Sequence, residues 1–97
     1  MEGRWVVVTT SHRDVVFGFC MAPLDMLERG FGILEGMRQV KHWKPNGNAK
    51  GLMALASHGP GEGSQIGLPV AMGGVRDVVL VLFVEPSALP VWEAAGW

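Results

Sequence analysis

The sequence predicts a mainly β, α+β fold: a small antiparallel sheet or barrel-like roll carrying a short C-terminal helix. Three observations predict it. Runs of β-branched and aromatic residues recur, as in Arg4–Thr10 and Val78–Val84. Turn-forming stretches separate the runs, notably Pro45, Asn46 and Gly47 and the glycine-rich segment 59–67. The last dozen residues carry helix punctuation. A chain of 97 residues supports one core, so residues 1–97 are expected to form a single domain.

Each element follows from its residues. Arg4–Thr10 reads as a strand, and the β signal resumes at Val15 after the polar "SHRD", so a hairpin is the expected local unit. Gly18 inside the second run marks a bulge or a close backbone approach. The segment 22–32 reads as a loop with one helical turn at 25–29, cut short by Gly30 and Gly32. Ile33–Trp43 reads as a strand. From Met37 it alternates, with Met37, Gln39 and Lys41 on one face and Arg38, Val40 and His42 on the other. Gly36 marks a bulge that shifts register. Leu52–Ser57 is too short for a free-standing helix and reads as one or two helical turns or a short strand. Val75–Glu85 reads as one unbroken strand, its apolar run suiting a central position covered on both faces. In the closing segment Ser87 can cap a short helix, Pro90 fits its first turn and Gly96 can stop it. Leu89 and Trp92, three apart, are expected to face the sheet together.

Composition narrows the class. Hydrophobic residues make up 48% and charged residues 18%, against about 25% charged in an average domain. So small a globule has too little polar surface to cover itself, which predicts apolar area buried between subunits or against a target. A net charge of −1 offers no electrostatic footprint for nucleic acid. The one cysteine, Cys20, permits no internal disulfide and fits a reducing compartment. No long apolar run follows a positive cluster at the N-terminus, so no signal peptide is expected. The longest apolar run is far short of the ~20 residues of a membrane span. These features predict a soluble, cytoplasmic protein without a membrane partner.

Candidate chemistry is sparse. A phosphate loop needs converging backbone N–H groups at a helix start and a residue such as lysine to complete the cradle. "GPGEGSQIG" has no lysine, loses an N–H at Pro60, carries a negative charge at Glu62 and leads into no helix. It is expected to turn a corner, with Ser64 and its neighbours as a weaker anion nest. His12, His42 and His58 lie too far apart for metal-ligand spacing, so no metal site is expected. Ser11, His12 and Asp14 are too near in sequence to form a triad among themselves and read as a hairpin tip. Four tryptophans, Trp5, Trp43, Trp92 and Trp97, suit a core or an interface. Arg38, Lys41, His42 and Trp43 form a basic-aromatic group that can stack on a nucleotide, or serve as a solvated strand face around one core tryptophan.

The pieces "VVVTTSHRDVVFG", "MRQVKHW", "GLMALASHGP", "SQIG" and "VWEAAGW" occur in this order. Together they resemble a family of small uncharacterised phage and prophage proteins. That family has a TT-x-HR…FG hairpin, a strand ending in Tyr-Trp, LA-x-x-GP and S-x-IG stretches and a late apolar strand. The resemblance spans most of the chain outside the loop around "CMAPLDMLERG". It departs at Asp14, where the family tends to glycine, and at His42, where it tends to tyrosine. It implies an accessory protein that binds something of the host, either blocking a defence complex by protein–protein contact, as anti-CRISPR proteins do, or sequestering a signalling nucleotide.

The resulting expectation is a non-enzymatic, cofactor-free, self-associating binding protein that occludes a host protein complex. The expected interface is Trp5, Trp43, Trp92 and Trp97 with exposed methionines. The alternative is an oligomeric nucleotide sponge using Arg13, Arg38, His42 and Ser64. A third reading is a small hydrolase or transferase centred on His12.

Overall fold

The computed structural model describes residues 4–11, 14–20, 27, 29–43, 53–61 and 63–95. Among these, the strands are β1 (Arg4–Thr10), β2 (Val15–Cys20), β3 (Phe31–His42), β4 (Gln65–Ile66), β5 (Val70–Arg76) and β6 (Val78–Phe83). The helices are α1 (Met53–His58), between β3 and β4, and α2 (Leu89–Ala94), which follows a 3-10 turn at Pro86–Ala88. The architecture is therefore the mainly β, α+β class expected, with a short C-terminal helix. No helix among the described residues is long and apolar enough to cross a membrane.

β1 is the most deeply enclosed strand. It pairs antiparallel with β2 on one side and β6 on the other, and consecutive Val6, Val7 and Val8 are all buried. Since successive side chains point to opposite faces, both faces of β1 must be covered. β2 pairs with β3, which pairs with β5 over Phe31–Met37 and with β4 near its C-terminal end. The six-stranded sheet runs β4-β3-β2-β1-β6, with β5 also on β3, and it is not closed. β5 and β6 are separated only by Asp77, yet they pair with β3 and β1 on opposite sides of β2. The sheet therefore has to roll until those sides meet. The junction is held by Ser11 N–H donating to the Asp77 carbonyl at 2.8 Å and Val78 N–H donating to the Gly30 carbonyl at 3.0 Å. Asp77 adopts φ 58°, a left-handed conformation that aspartate enters more readily than most side chains.

The roll divides the apolar side chains into two clusters. Val6, Val8, Val16, Cys20, Leu27 and Leu34 gather on one face, with Met37, Val75, Val78 and Val81 against them. Val7, Phe17, Val40, Leu55, Ile66, Ala88 and Trp92 gather on the other, under the helices.

Gly36 is where β3 changes sides. Phe19 stands opposite Glu35 but Phe17 stands opposite Arg38, so β3 contributes one extra residue at this point. Gly36 has φ 58°, the conformation of the glycine in a bulge of this kind. Leu34 before it and Met37 after it face the first cluster, whereas Val40 faces the second. The expected register shift is thus present. Across the bulge, Gly18 is a close approach: a Cβ there would lie 2.8 Å from the Leu34 Cβ. A Cβ on Gly36 would meet nothing within 4 Å, so Gly36→Ala tests conformation alone. It is expected to cost about 1–2 kcal/mol, lowering the unfolding midpoint by about 4–8 °C per kcal/mol in a calorimetric scan.

Several expectations need correction. Val75–Glu85 is not one central strand. It breaks at Asp77, and β6 lies at the sheet edge with Val79, Leu80 and Phe83 exposed. An apolar run reports burial or association without distinguishing them, and here the doubly covered position goes to β1. β5 forms where the sequence, with Gly73 and Gly74, carries little strand signal; its pairing with β3 supplies what propensity does not. Ser87 caps nothing: Glu85 precedes the 3-10 turn and Ala88 precedes α2, neither with a side-chain cap bond. Pro90 does sit in the first turn of α2. The expected helical turn at 25–29 falls mostly on residues outside those described, as do the turn at 45–47 and the stop at Gly96.

Candidate functional site

The helix-covered face carries the densest side-chain chemistry. Alternation on β1 and β2 places Trp5, Val7 and Phe17 on this face. Phe17 is sandwiched: Trp5 stacks on it at 5.1 Å between centroids and 13°, and Trp92 of α2 at 4.1 Å and 8°. Phe19 meets Trp5 edge-on at 5.2 Å. Trp92 is fully buried, and its Nε1–H donates to the Leu55 carbonyl of α1 at 3.0 Å. One side chain therefore ties α2 to both α1 and β2.

Arg38 is the unusual group of this face. The bulge at Gly36 turns it toward the helices, and only 8% of it is exposed. Its Nε donates to the Gly67 carbonyl at 2.8 Å, Nη1 to Trp92 O at 2.6 Å and Nη2 to Ala95 O at 2.6 Å. A cation against the last carbonyls of a helix is favourable, both as a hydrogen-bond donor and against the helix dipole. No carboxylate among the described residues pairs with it, and burial lowers the guanidinium pKa from its ordinary value. Between the sheet and α2 lies a cleft of about 380 Å³, lined by Trp5, Phe17, Arg38, Leu68, Leu89 and Glu93 among others.

The residues expected to bind a nucleotide are only partly brought together. His42 is exposed at the end of β3, opposite Gln65, and so stands beside the half-buried Ser64 in sequence register. Arg38 is nearby in the fold through Gly67, with one donor of each of its three nitrogens engaged by a backbone carbonyl. Arg13 lies outside the described residues, as does His12. His58 is exposed at the end of α1, its Nδ1 2.7 Å from Ser57 Oγ. Among the described residues, no three or more His, Cys, Asp or Glu side chains gather as a metal site. Cys20 is a free thiol and is buried.

The glycine-rich segment turns a corner, buried at its start and exposed at Gly63 and Gln65. Gly59, with φ 80°, ends α1 by donating its N–H to the Leu55 carbonyl at 3.1 Å. Gly59, Pro60 and Gly61 are buried. A Cβ on Gly59 would lie 2.8 Å from two side-chain carbons of Val91, so the glycine also lets α2 pack close.

Of the tryptophans expected at an interface, Trp92 is enclosed in the core. Trp5 and Trp43 are half-buried against the helix-covered cluster, and Trp92 is enclosed within it. Trp92 thus serves the core of its own chain, because its ring is stacked and its one donor satisfied internally. Trp97 lies outside the described residues. The exposed apolar surface is made by other residues: Phe31 and Ile33 (51% exposed) on β3, Val70 and Met72 (60%) on β5, with Leu68 (77%) just before β5. Register sets Phe31, Ile33 and Glu35 opposite Arg76, Gly74 and Met72, so these residues share one strip of sheet beyond the helices. The sequence missed this strip because β5 itself was not legible. The alternation of Phe31 and Ile33 with the buried Gly32 and Leu34 was its one available signal.

A family model described as a domain of unknown function (DUF6948) matches residues 3–92, nearly the whole chain, and the chain belongs to that family. No curated protein matches it, and no solved structure matches it.

Proposed function

We propose that this member of the DUF6948 family is a non-catalytic binding protein that occludes a surface of a protein partner, using the apolar strip of β3 and β5. The strip carries the reading. Phe31, Ile33, Val70 and Met72 are exposed on two adjacent, hydrogen-bonded strands, a firmer platform than a loop. Glu35 and Arg76 border it, giving the apolar centre and polar rim typical of protein interfaces. Met72 adds an adaptable contact. The resemblance to phage accessory proteins supports a host defence component as the partner.

The double variant Ile33→Lys/Met72→Lys tests this. Both side chains are exposed, so circular dichroism and the unfolding midpoint are expected to match the parent protein. Capture of the partner from a host lysate is expected to fall by at least about tenfold, since two apolar contacts become desolvated charges. Light scattering on the same two proteins separates a partner from a second copy. A mass above one chain that drops in the variant assigns the strip to self-association. Capture that persists in the variant overturns the reading.

A further inference from the structure

We infer that the cleft between the sheet and α2 binds a small aromatic monocarboxylate whose carboxylate meets Arg38. The cleft adjoins the β3–β5 strip at Leu68, and its volume of about 380 Å³ falls within the usual small-molecule range of ~300–1,000 Å³. Its walls are aromatic and aliphatic: Trp5, Phe17, Leu68 and Leu89. They suit a flat apolar body.

Charge selects the rest of the ligand. Among the described residues, Arg38 is the only cationic side chain lining the cleft. A guanidinium has five N–H donors. The bonds to Gly67, Trp92 and Ala95 occupy one on each nitrogen and leave one on each Nη. Those carbonyls supply dipoles but no opposite charge, and no carboxylate among the described residues bonds to the guanidinium, Glu93 of the same cleft being exposed. A carboxylate supplies that charge through hydrogen bonds of the strong, charge-assisted kind. The three existing bonds also hold the guanidinium plane still, so little ordering is required when a ligand arrives. Glu93 stands exposed at the rim. Its charge disfavours a second negative group, which points to a single carboxylate rather than a polyphosphate.

The test titrates the full chain with 2-naphthoate and with its neutral isostere 2-naphthamide, by calorimetry and by the fluorescence of the cleft tryptophans. The acid is expected to bind at least about tenfold more tightly than the amide. Arg38 also supports the fold, so the charge is varied at Leu68, which is 77% exposed. Leu68→Glu is expected to weaken 2-naphthoate binding by about tenfold and Leu68→Lys to tighten it, both with unchanged unfolding midpoints. Equal affinity for acid and amide, or indifference to the charge at position 68, overturns the assignment.

Discussion

Trp92→Ala is expected to lower stability by about 3–5 kcal/mol, the cost of truncating a fully enclosed aromatic side chain. In a domain of this size that corresponds to a fall of at least about 12 °C in the unfolding midpoint, read by calorimetry or by circular dichroism. The cause is specific to this fold. Trp92 stacks on Phe17 at 4.1 Å and donates to Leu55 O at 3.0 Å. Its removal opens a cavity where α2 meets the sheet and leaves the Leu55 carbonyl with only the Gly59 N–H as donor. Trp92→Phe separates the two contributions. It keeps an aromatic ring for the stack and loses the Nε1 donor with part of the indole's volume, so a smaller loss of about 1–3 kcal/mol is expected. Equal losses in the two variants would show that the hydrogen bond, not the stack, anchors α2.

The second large effect is expected at Arg38. Arg38→Lys retains the charge but replaces a planar fork with a single flexible ammonium, which cannot reach carbonyls of Gly67, Trp92 and Ala95 together. A loss of about 2–3 kcal/mol is expected in urea unfolding. Arg38→Met is the sharper comparison. If the arginine were only a buried charge taken out of water, a methionine of similar length would be neutral or stabilising. Here it takes the donor from the carbonyls of Gly67 and Ala95 and leaves Trp92 O with only the Ala95 N–H, so Arg38→Met is expected to destabilise as well. Hydrogen exchange is expected to accelerate first in α2. An Arg38→Met protein as stable as the parent would remove the staple role.

The two predictions concern residues that the sequence treats very differently. Leu89 and Trp92, three apart between Pro86 and Gly96, already indicate a short helix with one side against the sheet, and the structure places both on the helix-covered cluster. Arg38 offers no such clue. In the sequence it alternates with Gln39 and Lys41 as though on an open strand. The bulge at Gly36 and the carbonyls it meets, 29 to 57 residues away, turn it into an internal staple. The exposed strip was hidden for a related reason. Val70–Arg76, with two central glycines, becomes a strand only through pairing with β3.

By itself the sequence determined what local chemistry decides: the β1–β2 hairpin around a polar turn, the bulge at Gly36 and the corner turned by the segment 59–67, while for Leu52–Ser57 it left a helical turn and a short strand open. These depend on dihedral preference, turn residues and side-chain alternation over a few positions. Tertiary structure alone decided the rest. It placed β6 at an edge and β1 at the centre, put Trp92 inside and Met72 outside, and gave Arg38 its partners. Apolar residues and cations carry no address in a sequence. Which of them is buried depends on how distant strands roll together, and here that roll is made at one residue, Asp77.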